Sequence, residues 1–303
     1  MAFTAQDVKE LRERTGCGMM DCKAVLVEAD GDMEKAAELL REKGLAAANK
    51  KAGRIASEGM VYAVADHDSN VGAVVEVNSE TDFVAKNDGF QKFVKDLTNV
   101  VIKKAPKDLD ALMEEVMETG KKVKDELQEK ILVIGENLKI RRFNRFSGNN
   151  CAYVHGGGTH GVLVRFDVSD DIAKKPEFIE FAKNIAMHIT VFSPPYLCRE
   201  DVPAEVIEKE KEILKTQAMN EGKPESIAEK MVAGRISKYY EQNCLLDQKY
   251  VKDDKISVQQ YIDAAEKALG SPIKIEEYVR YEKGEGLEKR SDDFAAEVAS
   301  MVN

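Results

Sequence analysis

Two histidines enclose a run of glycines, His155-Gly-Gly-Gly-Thr-His160, and this spacing raises two chemical possibilities. A histidine pair can hold a metal ion, and a His-Gly-Gly-Gly run can form the oxyanion loop of an esterase. The chain has no Gly-x-Ser-x-Gly nucleophile motif, however, and no third ligand accompanies the histidines. A turn between two strands also accounts for the glycines. We therefore predict no metal, no cofactor and no covalent catalysis at this place.

The chain also lacks the Gly-x-x-x-x-Gly-Lys-Ser/Thr loop that cradles nucleotide phosphates. Such a loop supplies the backbone N–H groups and the lysine that hold the phosphates of a bound nucleotide. We therefore expect no direct binding of a nucleotide to this chain.

The five cysteines are scattered and never spaced as Cys-x-x-Cys. In a chain of 303 residues this pattern indicates reduced thiols. Cys17 and Cys22 are expected on different faces of a helix, which argues against a zinc pair. The first residues resemble neither a signal peptide nor a transit peptide, and no apolar run has the length of a membrane span. We expect a cytoplasmic protein that does not bind a membrane.

The charge of the chain favours a protein partner over a nucleic acid. The net charge is −10, with 43% hydrophobic and 33% charged residues, as in a globular protein with a heavily charged surface. Binding to a phosphate backbone requires a basic surface. Residues 1–54 carry as many acidic as basic side chains, so the acidic average hides no basic arm at that end.

The segment Thr81-Asp82-Phe83-Val84 lies between a predicted strand and a predicted helix whose apolar stripe begins at Phe90. One interpretation is that Phe83 covers the end of the sheet and that Asp82 caps the helix. The other is that Phe83 is an exposed aromatic side chain on a rigid turn, suited to insertion into a pocket of a partner. The pattern leaves both interpretations open.

Apolar spacing predicts three short helices within residues 1–54. The first opens at a capping box of Thr4 and Asp7, and the third ends at Gly44, before an Ala/Lys-rich linker. Three such helices make a very small core, so we expect this unit to be tied to its neighbours or to a partner.

Residues 55–195 contain an internal repeat, in which a hairpin of two apolar strands precedes a helix. Gly72-Ala-Val-Val in the first copy matches Gly161-Val-Leu-Val in the second. We therefore predict an α+β fold with two related subdomains, at 55–146 and 147–282.

Helical segments accompany these subdomains. Residues 107–134 are predicted to be a polar helical stretch, and residues 203–242 an antiparallel helical hairpin with Gly222 and Pro224 at its turn. Residues 283–303 are predicted to form a C-terminal helical module.

Several stretches of the chain resemble the elongation factor Ts family of translation, and they occur in the order of that family. From Val8 onward the resemblance covers essentially the whole chain. Its stretches are RTGCGMMDCKAVLVEADGDMEKA, TDFVAKN, GENLKIRRF, HGGGTHGVLV, IAMHI, AEKMVAGRI and RYEKGEGLEK.

The resemblance implies a guanine nucleotide exchange factor that binds elongation factor Tu and promotes the release of GDP. It also implies an N-terminal unit like a ubiquitin-associated domain. Phe83, with Asp82 beside it, would press between helices of the partner and displace the elements that hold Mg²⁺ and the β-phosphate. The implied contact residues are Thr81, Asp82, Phe83, Val84, Arg12, Met19 and Met20, and less directly His155 and Gly161. For Met19 and Met20, packing inside the helical unit is an alternative.

Two other classes of function remain open at this stage. A binding module could capture ubiquitin or a peptide through its N-terminal helices. An enzyme could use His155, His160 and a nearby carboxylate, and its turnover would then be lost on His160→Ala, which nucleotide exchange should survive.

Overall fold

The computed structural model of the protein describes residues 3–222 and 224–289 and contains both helices and sheets, as predicted for an α+β fold. The helices of the described part are α1 (Ala5–Thr15), α2 (Met19–Glu28), α3 (Met33–Lys51), α4 (Asp82–Ala85), α5 (Asp88–Lys104), α6 (Leu109–Glu114), α7 (Val123–Ile134), α8 (Asp170–Ala173), α9 (Pro176–Phe192), α10 (Ala204–Asn220), α11 (Glu225–Asn243) and α12 (Val258–Leu269). The strands are β1 (Glu58–Asp66), β2 (Val71–Ser79), β3 (Lys139–Ser147), β4 (Asn149–His155), β5 (His160–Asp167), β6 (Lys249–Tyr250), β7 (Asp253–Ser257) and β8 (Lys274–Glu282).

The first three helices pack around an apolar core of their own. The predicted capping box opens α1: the Thr4 hydroxyl accepts the N–H of Asp7, and the Asp7 carboxylate accepts the N–H of Thr4. These bonds satisfy amide groups that a helix start leaves unpaired. Leu132 of α7 packs against this core, so the unit is tied to the next segment as expected. The buried core residues are Val8, Leu11, Cys17, Cys22, Val25, Leu26, Ala29, Ala36 and Leu40.

Helix α3 is longer than the sequence predicted, because Gly44 does not end it. The helix continues to Lys51 through an alanine-rich stretch of strong helix propensity. Gly44 is buried, and a Cβ atom there would lie 3.5 Å from the carbonyl oxygen of Gln128 and 3.6 Å from the side chain of Leu132. These are ordinary van der Waals distances, so the packing of α3 on α7 does not require glycine. The prediction was wrong because Gly44 does not adopt the positive φ of a helix end and the residues after it favour a helix.

The first sheet has the antiparallel order β1-β2-β3, with α5 packed against it. The central strand β2 is buried along its whole length, because one face meets α5 and the other face meets the second sheet. The predicted polar stretch 107–134 forms the two helices α6 and α7, which also cover this core. Their buried apolar residues are Leu112, Val123, Leu127 and Ile131.

The second sheet has the antiparallel order β4-β5-β8 and is covered by α9 and α12. Its first two strands are followed by a short helix, α8, and a long one, α9, in the order in which α4 and α5 follow β1 and β2. The core between this sheet and its helices includes Val162, Val164, Phe166, Phe178, Phe181, Ile185, Ile189, Val258 and Ile262.

The two sheets face each other across a smaller apolar cluster made of Val61, Ala63, Val74, Phe146, Leu163 and Tyr281. Gly161 lies in this interface: a Cβ atom there would be 2.5 Å from Cγ1 of Val61. That distance is shorter than any real Cβ contact, so only glycine fits without movement of its neighbours.

Helices α10 and α11 form an antiparallel hairpin, as predicted. Gly222 has φ +78° at the end of α10, a conformation that glycine adopts without strain. Near its base the hairpin packs against the main body in a cluster of Tyr196, Val202, Val206, Ile207, Ile236, Tyr239, Tyr240 and Cys244. Further along it, Ile213, Met219 and Ile227 are exposed.

The predicted C-terminal helix, with Phe294, Val298 and Met301, lies outside the described residues. Among the residues that are described, we find no helix with the length and apolar character needed to cross a membrane.

Candidate functional site

Phe83 and Val84 are neighbours in the four-residue helix α4, but their side chains are placed in opposite environments. Val84 is buried in the core of the first sheet, whereas Phe83 is 75% exposed. The interpretation that Phe83 covers the end of the sheet is therefore wrong, because Val84 fills that place. An isolated aromatic ring on the surface is thus a feature of this turn.

Thr81 anchors the entry to α4. Its N–H donates to one carboxylate oxygen of Glu136 at 2.9 Å, and its hydroxyl donates to the other at 2.7 Å. The hydroxyl of Ser79 donates to the carbonyl oxygen of Thr81 at 2.9 Å. Three hydrogen bonds at one residue fix the direction in which the chain enters the helix.

The exit from α4 is anchored as well. Asn87 caps α5 by accepting the N–H of Phe90 at 3.0 Å, and the side chain of Gln91 donates to the carbonyl oxygen of Ala85 at 2.9 Å. Asp82 does not cap a helix, contrary to one of the two interpretations of the sequence. Helix α4 is therefore held at both ends by its neighbours.

The charges around Phe83 come from Asp82 and two lysines. Lys86 donates to the Asp82 carboxylate at 2.9 Å, and this hydrogen bond lowers the pKa of Asp82 from its usual value. The ammonium group of Lys86 lies 5.5 Å from the centre of the Phe83 ring, within the range of a cation–π contact. Lys283 lies near enough to lower the pKa of Asp82 further. The exposed ring is thus flanked by a carboxylate that stays ionised near neutral pH.

The second copy of the repeat has the same backbone element without the aromatic ring. In α8, Ile172 is buried and Asp171 is exposed. Aligning Asp-Phe-Val-Ala-Lys with Asp-Asp-Ile-Ala-Lys pairs Val84 with Ile172 and Phe83 with Asp171. The fold therefore requires an apolar residue at the buried position, while the exposed position accepts a carboxylate.

Arg12, Met19 and Met20 lie on α1 and α2 and are all exposed, with Met20 at 73%. The alternative that the two methionines pack inside the helical unit is wrong for both. Val27, one heptad after Met20 on the same helix face, is exposed as well and was missed from the sequence. These residues belong to the N-terminal unit, whose helix α3 packs on α7.

The two contact residues expected on the hairpin of β4 and β5, His155 and Gly161, lie in different environments. His155 is exposed, and its Nδ1 is 3.1 Å from the Tyr153 hydroxyl. Gly161 is buried between the sheets, so its role in the structure is close packing. His160 faces Glu282 at 3.4 Å, and its pKa is lowered by burial and by the nearby charge of Arg280.

The glycines of this hairpin also have the Gly-x-Gly-x-x-Gly spacing of dinucleotide-binding loops, at Gly156, Gly158 and Gly161. In that motif a strand leads into a helix, whose N-terminus holds the pyrophosphate. Here the glycines join two antiparallel strands instead. Among the described residues, no cluster of three or more His, Cys, Asp or Glu side chains is arranged to hold a metal ion.

The spacing predicted that Cys17 and Cys22 lie on different faces of a helix, and this prediction is wrong. Cys17 precedes α2, and both side chains enter the same core, with Cys22 Sγ 3.9 Å from the carbonyl oxygen of Cys17. The spacing argument failed because it assumed a helix at Cys17. Burial raises the pKa of both thiols, so both stay neutral near pH 7.

A buried carboxylate joins the strands beside the site. Glu76 of β2 is fully buried and accepts hydrogen bonds from Asn78, Arg141, Arg142 and the N–H of Gly284. These contacts connect the turn after β8 to the first sheet. Full hydrogen bonding is what makes a buried carboxylate tolerable.

Comparison with known proteins gives consistent matches over the whole chain. A family model described as "Elongation factor TS" matches residues 80–285. The chain is 50% identical to the elongation factor Ts of Trichlorobacter lovleyi over 308 positions, which cover 100% of this chain and 99% of that relative. It is 49% identical to the elongation factor Ts of Clostridium kluyveri and of Clostridium perfringens, with 99% of each chain covered. The chain therefore belongs to the elongation factor Ts family, the guanine nucleotide exchange factors of translation elongation.

Proposed function

We propose that the protein releases GDP from elongation factor Tu by inserting Phe83 as a wedge into the nucleotide-binding domain of that GTPase. The observation that carries this proposal is the 75% exposure of Phe83 on a turn that is anchored at both ends. An aromatic ring held in place loses little conformational freedom on binding, as is typical of residues that dominate an interface.

The comparison of α4 with α8 supports a role for Phe83 outside the fold. The exposed position holds Asp171 in the second copy, so an aromatic side chain is not required there for packing. An exposed phenylalanine on an anchored turn suits an apolar pocket of a partner.

Displacement of the metal-binding and phosphate-binding elements is the proposed route to release. A nucleotide held through Mg²⁺ loses affinity when the geometry around the metal is disturbed. In this route Phe83 presses between helices of the partner, with Asp82 beside it, and moves the elements that hold Mg²⁺ and the β-phosphate. A factor that binds the nucleotide-free state best weakens nucleotide binding by an equal factor.

The exposed face of the N-terminal unit provides a second contact with the same partner domain. Arg12, Met19 and Met20 form this contact, and Val27 extends it along α2. Flexible methionine side chains suit an adaptable apolar interface. Since this unit packs on α7 and α4 is anchored through Glu136, both contacts belong to one connected body.

The second half contacts another domain of the GTPase through His155. Its exposure on the β4–β5 hairpin suits this role, whereas the buried Gly161 supports the hairpin from within. Thr81 and Val84 also support the contact surface from within the protein. Thr81 orients α4, and Val84 anchors α4 in the core.

The domain organisation that fits this account has four parts. Residues 1–54 form a ubiquitin-associated-like unit, 55–146 and 147–282 form the two core subdomains, and 283–303 form a C-terminal module. The chain performs no covalent chemistry and acts in the cytoplasm, where its partner works.

Linkage gives the experiment that tests the exchange function. The affinity of the protein for elongation factor Tu is measured by calorimetry, with the GTPase nucleotide-free and saturated with GDP and Mg²⁺. We expect binding to be weaker by at least about tenfold in the presence of GDP and Mg²⁺. Equal affinities in the two states would contradict the proposed function, because a ligand without differential affinity shifts no equilibrium.

A further inference from the structure

We infer that Glu136 is a positioning residue for nucleotide exchange, whose carboxylate sets the orientation in which α4 presents Phe83. The inference rests on the function proposed above for Phe83. Thr81 was expected to contact the partner itself, but both of its donor groups are bonded to Glu136. The residue before the wedge is thus an attachment point.

The geometry of this attachment restricts rotation of α4. Thr81 is the N-cap residue of α4, but its hydroxyl makes no capping hydrogen bond and donates to Glu136 instead. The two carboxylate oxygens each take one donor of the same residue, at 2.9 and 2.7 Å. Two parallel bonds fix direction as well as distance. Phe83 lies two residues after Thr81, so the same two bonds set the orientation of its ring.

The carboxylate itself is supplied from a rigid place. Gly135 ends α7 with φ +83°, and its N–H donates to the carbonyl oxygen of Ile131 at 3.0 Å. On the other side of Glu136, the N–H of Asn137 donates to Glu80 at 2.6 Å and its side chain donates to the carbonyl oxygen of Arg54 at 2.8 Å. Glu136 is therefore held from both sides.

This location also connects the two proposed contacts with the partner. Helix α7 packs against α3 of the N-terminal unit, with Arg41 and Asp125 paired at 2.8 Å. The N-terminal unit and α4 are therefore connected through contacts of α7 and Glu136. Loss of the Glu136 contact would leave both surfaces intact but would remove one of the anchors that fix α4 relative to the N-terminal unit.

The chemistry of the contact allows a conservative rescue. A glutamine at position 136 can accept the Thr81 N–H with its amide oxygen and donate to the Thr81 hydroxyl with its amide nitrogen. Glu136→Gln therefore keeps both hydrogen bonds, whereas Glu136→Ala removes both. Thr81→Val, which has a similar shape, removes only the hydroxyl bond.

The test is GDP release from elongation factor Tu at increasing concentrations of the full-length protein, which separates the maximal rate from the half-saturating concentration. We expect Glu136→Ala to lower the maximal rate by about tenfold, since two hydrogen bonds are lost. Glu136→Gln should recover most of the rate, and Thr81→Val should lose about threefold. Glu129→Ala removes an ion pair between α7 and Lys121, at the surface, and serves as the matched control that should match wild type.

A double-mutant cycle separates positioning from a general structural effect. If Glu136 acts through Phe83, Glu136→Ala should have no further effect on the maximal rate in a Phe83→Ala background. An equal reduction with and without Phe83, or a full rate in Glu136→Ala, would overturn the inference. A wild-type protein that releases GDP no faster than Phe83→Ala would instead overturn the proposed wedge.

Discussion

Gly72 of β2 lies directly against Leu163 of β5, and Gly161 of β5 lies in the same way against Val74 of β2. A Cβ atom at Gly72 would be 2.5 Å from Leu163 Cδ1, and one at Gly161 would be 3.3 Å from Val74 Cγ2. Gly72 and Gly161 occupy matching positions in the repeat, as do Val74 and Leu163. The contacts are therefore reciprocal, as in an interface between two copies related by a two-fold axis.

Substitution of Gly161 tests this interface. Gly161→Ala should lower the free energy of unfolding by about 1–3 kcal/mol, because the added methyl group meets Val61 and overfills a close-packed core. Urea unfolding of the full-length protein measures the change. Gly234→Ala is the control, since a Cβ atom in that part of α11 meets nothing within 4 Å and should leave stability unchanged or slightly higher. Equal stabilities of the two variants would contradict the close approach of the sheets.

Substitution of Met20 tests the contact proposed for the N-terminal unit. Met20→Ala should weaken binding to nucleotide-free elongation factor Tu by about tenfold, because a truncated apolar contact is lost from the interface. Thermal melting should stay unchanged, since the side chain is 73% exposed. Leu45→Ala removes another exposed apolar side chain, on α3 and outside this face, and should bind as wild type does. Identical affinities for Met20→Ala and wild type would remove this face from the interface.

The buried Glu76 predicts a large loss of stability. Glu76→Ala should lower the free energy of unfolding by about 3 kcal/mol, since the N–H of Gly284 loses its acceptor and two partly buried arginines each lose their ion pair with Glu76. Urea unfolding measures the loss, and hydrogen exchange at Gly284 should become faster. Glu114→Ala breaks two ion pairs on the exposed surface and should change stability by less than about 1 kcal/mol. Similar losses in both variants would contradict a special role for burial at Glu76.

His188 predicts a decrease in stability on the acid side. Its ring is fully buried, with Nε2 donating to Gln248 at 2.9 Å and Nδ1 accepting the N–H of Val251 at 3.2 Å, and burial lowers its pKa. The unfolded chain takes up this proton near about pH 6.5, whereas the folded protein takes it up only at lower pH. The free energy of unfolding should therefore fall as the pH drops through about 6.5, and His160 adds an effect of the same sign.

Titration of the His188 ring protons by NMR checks this directly, with the His188 signals assigned by their loss in His188→Gln. We expect a midpoint below about 6.5. A midpoint at or above that value would mean that the buried ring accepts a second proton without cost.

Local patterns were sufficient to predict several elements. The capping box at Thr4, the α5 stripe that begins at Phe90, and the helical hairpin with its turn at Gly222 depend on interactions between residues close in sequence. The helix end expected at Gly44 was wrong because α3 continues to Lys51 and packs against α7, which is distant in sequence. Propensity alone cannot distinguish a glycine that ends a helix from one inside a helix.

At the candidate site, too, contacts between residues distant in sequence could not be predicted. The sequence placed Phe83 on a connection but did not decide whether Phe83 covered the end of the sheet or was exposed, and it did not predict that Val84 enters the core. Glu136 resembled an ordinary surface residue, because its partner Thr81 is far away in the chain. Glu76 did leave a signal, since a single carboxylate in a long apolar strand requires a buried partner, and two arginines lie on a strand nearby.

The most direct test of the wedge is stopped-flow release of a fluorescent GDP analogue from elongation factor Tu, measured with wild type, Phe83→Ala and Asp171→Ala. We expect wild type to accelerate release strongly and Phe83→Ala to be slower by at least about tenfold. Thermal melting of Phe83→Ala should be unchanged, because its side chain lies outside the core. Asp171→Ala, at the matching position of α8, should behave as wild type. Equal acceleration by wild type and Phe83→Ala would contradict the central role of Phe83.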